Sequence, residues 1–191
     1  MHRATILSAL ALAAVLGVGS AAAAEISSVY ERFSVEDCRV TEETDREQLR
    51  LCDMKNGPDL TFIFHEHGVA VMVEPAGSQG RYGNDDPNYD YGRTGHFGDI
   101  YGDENGLVTL EWRVEKVAGN WRPFAAIYRT TYTRYDADGE PRNLQRLDVL
   151  AFGTGYACQI GTVENGPGQN EKARAIADAL RGTNPCPAVK R

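Results

Sequence analysis

Cysteine, histidine and tryptophan are scarce in this 191-residue chain: four, four and two respectively. None of the cysteines stands in a Cys-x-x-Cys or Cys-x-x-His spacing, so the usual local signatures of a structural zinc site are missing. Neither a Gly-x-Ser-x-Gly elbow nor a His-Glu-x-x-His pair occurs, which removes two common signatures of hydrolytic enzymes. There is no glycine-rich phosphate loop. Beyond residue 24 no apolar run is long enough to span a membrane as a helix. Positive charge is in deficit: 20 Lys and Arg stand against 27 Asp and Glu, a net charge of −7. An acidic surface of this kind argues against nucleic acid and anionic lipid headgroups as partners.

What is present begins with a leader. Met1-His2-Arg3 is followed by an apolar stretch from Ile6 to Val18 and by small residues ending in Ala22-Ala23-Ala24. A basic start, a short apolar middle and an A-x-A exit are the parts of a secretory signal, so residues 1–24 are expected to be cleaved before Glu25. The alternative is an uncleaved membrane anchor. Residues 25–191 (191 − 24 = 167 residues) suit a single globular domain. The predicted location is periplasmic or secreted, an oxidising setting in which Cys38, Cys52, Cys158 and Cys186 are read as two disulfides. Three connectivities exist; proximity in sequence favours Cys38–Cys52 and Cys158–Cys186.

Strand signals dominate the middle. Val108, Leu110, Trp112 and Val114 alternate with polar residues, the period of a strand with one buried and one wet face. Ala118-Gly119-Asn120 marks a turn into a β-branched and aromatic run to Tyr135, and Asp136 to Gly139 marks the next hairpin into Leu144–Phe152. Upstream, Leu60–Phe64 and Val69–Val73 flank a tight loop, and Cys38–Thr41 and Leu49–Cys52 form a further short pair. Asn170 is placed as a helix N-cap, with Ala173, Ile176, Ala177 and Leu180 as the packing stripe and Gly182 beyond the end. The sum is an α+β fold: an antiparallel sheet of about six to eight strands with one C-terminal helix packed on it.

Residues 78–106 lack an apolar period and are rich in Gly, Asp and Tyr. Long loops inside compact domains are often functional, and tyrosine among glycines suits recognition surfaces. Tyr82, Tyr89, Asp90, Tyr91, Phe97 and Tyr101 are the candidate contacts for a ligand or partner. Asp86, Asn88 and Asp90 have the spacing that opens a calcium loop, but Tyr91 and Phe97 stand where its glycine and bidentate glutamate belong. His65 and His67, with His96, are a weaker metal candidate, against a reading as turn histidines. Glu111, Arg113, Glu115, Arg129 and Asp148 are assigned to the wet face of the central strands, as cross-strand charge pairs or as an arginine-lined groove for an anion. No catalytic residue and no cofactor is assigned.

Tyr30-Glu31-Arg32-Phe33-Ser34-Val35-Glu36-Asp37-Cys38, the early second cysteine and the Ala173–Asp178 helix resemble those of small uncharacterised secreted or periplasmic bacterial proteins with two disulfides. The resemblance covers the two ends of the chain, implies a structural scaffold and carries over no site residues. The expected function is a non-catalytic binding module presenting the 78–106 loop to a protein or envelope component. The alternatives are a metal- or carboxylate-dependent hydrolase and a protein inhibitor of an extracytoplasmic enzyme.

Overall fold

The computed structural model describes residues 25–66, 68–73, 99–100, 102–153, 156–183 and 185. The leader lies outside them. The described chain forms ten strands, one 3-10 turn and one α-helix. β2 (Arg39–Glu43), β3 (Glu47–Cys52), β4 (Leu60–His65) and β5 (Gly68–Val73) make a four-stranded antiparallel sheet in sequence order. β1 (Ile26–Ser34), β7 (Leu107–Val117), β8 (Asn120–Tyr135), β9 (Pro141–Gly153) and β10 (Tyr156–Glu164) make a larger antiparallel sheet in the order β1-β7-β8-β9-β10. Two-residue β6 (Asp99–Ile100) pairs with β8 at Thr130 and Thr131, just beyond Tyr128, the last β8 residue paired with β7. α1 (Gln169–Ala179) follows β10.

The strands therefore divide between two sheets, not the single sheet expected from periodicity. The inner faces meet in one core: Cys52, Leu60, Phe62, Val69 and Val71 from the small sheet, and Val108, Leu110, Trp112, Val114 and Leu150 from the large one. Phe33 of β1 meets Phe62 of β4 across the interface, with centroids 5.8 Å apart. Alternation of period two supplies one such face per strand. The large sheet also needs its other face, because α1 packs there. Ala173 and Ala177 are buried against Ile127, Leu147 and Val149, and Ile176 adds to the same cluster. This explains why apolar residues of β9 fall on both faces. It also corrects the wet-face assignment: Glu111, Arg113 and Glu115 are all under 10% exposed, beneath the helix side. Asp148 belongs to the opposite face. It is fully buried, accepts hydrogen bonds from Thr130 Oγ1 (2.6 Å) and Gln159 Nε2 (3.1 Å), and pairs with Arg146 at 3.2 Å.

Local chemistry sets the turns. Val117 pairs with Asn120, leaving Ala118 (φ 49°) and Gly119 (φ 86°) as a two-residue turn with both central residues left-handed. Alanine tolerates that region poorly. Ala118→Asn should raise the unfolding free energy by about 1 kcal/mol, read by urea denaturation; an unchanged midpoint contradicts the strain. At the β8–β9 hairpin Asp136 Oδ1 accepts from the amides of Asp138 and Glu140, which closes the turn. Pro123 lies at the register shift between β7 and β8, ahead of Ala125, where β9 begins to pair, so no ladder bond is lost in the sheet centre.

Cys38 and Cys52 are joined, tying the start of β2 to the end of β3. The one covalent pairing among the described residues is thus the expected one; Cys186 lies outside them. α1 starts one residue before the expected cap: Gly168 is the N-cap, and no side chain caps the first turn. β1 carries no clear strand signal in the sequence. As an edge strand it alternates irregularly between half-buried and exposed residues, which weakens its periodic signal.

Candidate functional site

The helix-facing side of the large sheet is mostly polar along β1 and β7 and mostly apolar along β8 and β9, with Ile26 of β1 and Arg129 of β8 among the exceptions. Ser28 and Tyr30 from β1 stand beside Glu111 and Arg113 from β7, because the register pairs Ser28 with Arg113 and Tyr30 with Glu111. α1 lays two charged side chains over this row. Arg113 forks onto Asp178, with Nε to Oδ1 at 2.9 Å and Nη2 to Oδ2 at 2.6 Å. Arg174 Nε donates to Glu111 Oε1 at 2.6 Å, and its Nη2 donates to the Tyr30 hydroxyl at 2.6 Å. The Glu111 carboxylate raises the Arg174 pKa further, so this arginine stays charged at any accessible pH. Arg122 holds Glu115 at 2.5 Å, with Arg181 at 3.8 Å. The forked, partly desolvated Arg113–Asp178 and Arg174–Glu111 pairs fix the orientation of the helix on the sheet.

Beside the first turn of α1 the same face opens into a cleft of about 210 Å³. Ile127 and Leu147, both buried, with Leu107 form its apolar floor. Tyr30, Thr109 and Asn170 stand at its exposed rim, and Asp103, Glu111 and Arg129 supply charge. Asp103 belongs to the turn that leads into β7. Its Oδ1 accepts from the amides of Asn105 (2.9 Å) and Leu107 (3.0 Å), and Arg32 is bonded to its Oδ2. The Leu107 and Asn105 amides, more than Arg32, hold the Asp103 carboxyl below its usual pKa.

The sign of the pH dependence follows. A carboxyl whose pKa is depressed by folding stabilises the fold above its unfolded value, about 3.9, and loses that contribution as pH falls through the folded value. Asp136, lowered chiefly by the Glu140 amide and then by Arg142, behaves in the same way. Tyr132, raised mainly by its hydrogen bond to Glu164, has the opposite sense: its contribution is present below about pH 10 and lost as pH rises through the raised value. Amide exchange at Leu107 and Glu140 should therefore accelerate, beyond the intrinsic trend, on acidification below about pH 4. Flat protection across that window would contradict the two turns' carboxylate bonds.

Tyr82, Tyr89, Asp90, Tyr91, Phe97 and Tyr101, with His67 and His96, lie outside the described residues. His65 ends β4, in register with Glu47 and Gly68, on the small sheet. No group of three or more His, Cys, Asp or Glu able to hold a metal occurs among the described residues. The described part of the 78–106 segment is β6 and the 102–106 turn, which forms one wall of the cleft through Asp103. Sequence reading named Glu111, Arg113 and Arg129 as charged neighbours but missed Tyr30, Thr109 and Asn170. Nothing local marks them, since they come together only through the β1–β7 register and the return of α1.

The architecture is an antiparallel β-sandwich with one helix over an outer face and a small polar-rimmed cleft where that helix begins. No known family, curated protein or solved structure matches this chain.

Proposed function

We propose that this protein is a secreted or periplasmic binding module without catalytic activity, of the small two-disulfide kind that its ends resemble. In this reading residues 1–24 are removed, Cys158 pairs with Cys186 beyond α1, and residues 78–106 recognise a protein or envelope component through Tyr82, Tyr89, Asp90, Tyr91, Phe97 and Tyr101. The supporting observation is how that segment is tethered. It leaves from β5, the edge strand of the small sheet, and returns as β6 on β8 of the large sheet. Paired strands flanking a recognition segment on both sides lower the entropy cost of ordering it. The commitment of Asp103 and Glu111 to arginines favours binding over acid–base chemistry in the neighbouring cleft.

A photo-crosslinker at position 91 in cells should yield a discrete adduct, whereas one at exposed Tyr135, on the β8–β9 hairpin, should not. Equal labelling from both sites, or from neither, would remove the segment from the argument. Intact mass of the exported protein should begin at Glu25 and lack four hydrogens relative to the reduced chain. A retained leader or a titratable thiol would refute the corresponding part.

A further inference from the structure

The geometry points to the cleft beside α1 as a binding site for a small organic carboxylate, anchored by Arg129, with Ile127, Leu147 and Leu107 receiving its apolar part. This site shares Asp103 with the 78–106 segment but does not rest on the recognition role proposed for that segment. It rests first on the state of the arginines. Every other buried or half-buried arginine among the described residues, namely Arg50, Arg113, Arg146, Arg174 and Arg181, has a carboxylate at 2.6–3.8 Å. Arg129 is half-buried and lines the cleft, yet its hydrogen bond there is a long 3.4 Å contact to Gln145 Oε1, with no carboxylate partner among the described residues. A partly desolvated guanidinium without a counter-charge is costly, and an incoming anion relieves that cost.

The two acids in the cleft do not fill this role. Both Asp103 oxygens are taken, by the Asn105 and Leu107 amides and by Arg32. Glu111 is taken by Arg174 and Ser28. The rim offers donors that have no partner among the described residues: the Thr109 hydroxyl and the Asn170 amide, exposed beside the positive end of α1, whose first turn has no side-chain cap. Ligand size and charge follow from the same features. The cleft is smaller than the roughly 300–1,000 Å³ that holds drug-sized molecules. With Asp103 and Glu111 already paired to Arg32 and Arg174, the one remaining guanidinium matches a planar monoanion in bidentate fashion, whereas the second charge of a dianion would find no cation among the described residues of the cleft.

The test is an NMR titration of the mature protein with hexanoate, beside 1-hexanol and inorganic phosphate. Hexanoate should give saturable shifts at the amides of Thr109, Arg129 and Asn170, with Kd on the order of 1 mM. Hexanol and phosphate should each bind at least about tenfold more weakly, and Arg129→Gln should weaken hexanoate by about tenfold or more. If Arg129→Gln fails to fold, Asn170→Asp serves. It favours the helix dipole but sets a negative charge at the rim, and should also weaken hexanoate. Absence of saturation, equal binding of hexanol, tighter binding of phosphate, or hexanoate affinity unchanged in the folded variant would each overturn the assignment. Crosslinking from position 91 can fail while hexanoate binds, and the reverse, so the two readings fall separately.

Discussion

Replacing Arg113 with methionine is expected to lower the unfolding free energy by about 3 kcal/mol, with the loss concentrated in the docking of α1. The Arg113 side chain is 9% exposed and holds both oxygens of Asp178 while donating to Ser28. Glu111 lies 3.9 Å from the guanidinium and is itself 8% exposed. Removing the cation takes one positive charge from beside a buried carboxylate, leaving it to Arg174 and the Ser28 hydroxyl, and releases Asp178. Breaking a buried pair costs about 3–5 kcal/mol, and the lower end applies because Asp178 can regain water. The double variant Arg113→Met with Asp178→Leu should recover much of the loss, because a desolvated pair contributes little over an apolar pair of similar shape. Urea unfolding and amide exchange in α1 report both effects. A loss under about 1 kcal/mol in the single variant would place the pair among weak surface ion pairs.

Trp112→Ala should cost about 3–5 kcal/mol. The indole is fully buried between the sheets, edge-on to Phe152 at a centroid distance of 5.7 Å. Its Nε1 donates to Glu31 Oε2 at 3.0 Å, and the same carboxylate accepts from the amides of Lys55 and Asn56. The ring thus links the core to the loop between β3 and β4. That loop passes so close that a Cβ on Gly57 would lie 2.5 Å from the indole carbons. Gly57→Ala is accordingly expected to destabilise by about 1–3 kcal/mol through overpacking, a cost that should shrink in a Trp112→Phe background. Equal costs in both backgrounds would show that the clash is not with the indole.

Several elements are legible in the residues because their causes are local. The β4–β5 hairpin at 65–68, the Asp136–Gly139 turn and the α1 stripe at Ala173 and Ala177 follow from alternation, turn chemistry and helical period. The proximity of Cys38 and Cys52 along the chain likewise foreshadows their pairing. The candidate cleft was less legible. Arg129 and Glu111 could be named as charged residues of facing strands, but a strand's period says only that a side chain points away from one face. It does not say whether that second face meets water or a helix.

Composition and periodicity determined that this is an acidic, strand-rich chain with antiparallel hairpins and one terminal helix. These properties depend on neighbours within a few residues, where backbone geometry and hydrophobic period act. Tertiary structure alone decided that the strands divide into two sheets and that the polar rows of β1 and β7 lie under α1. It also decided that Arg129 stands without a carboxylate partner, among the described residues, beside an apolar floor. Those outcomes depend on pairing and burial between residues far apart along the chain, as in Tyr30 with Arg174 at a separation of 144. No local pattern encodes which long-range partner an amphipathic face will meet.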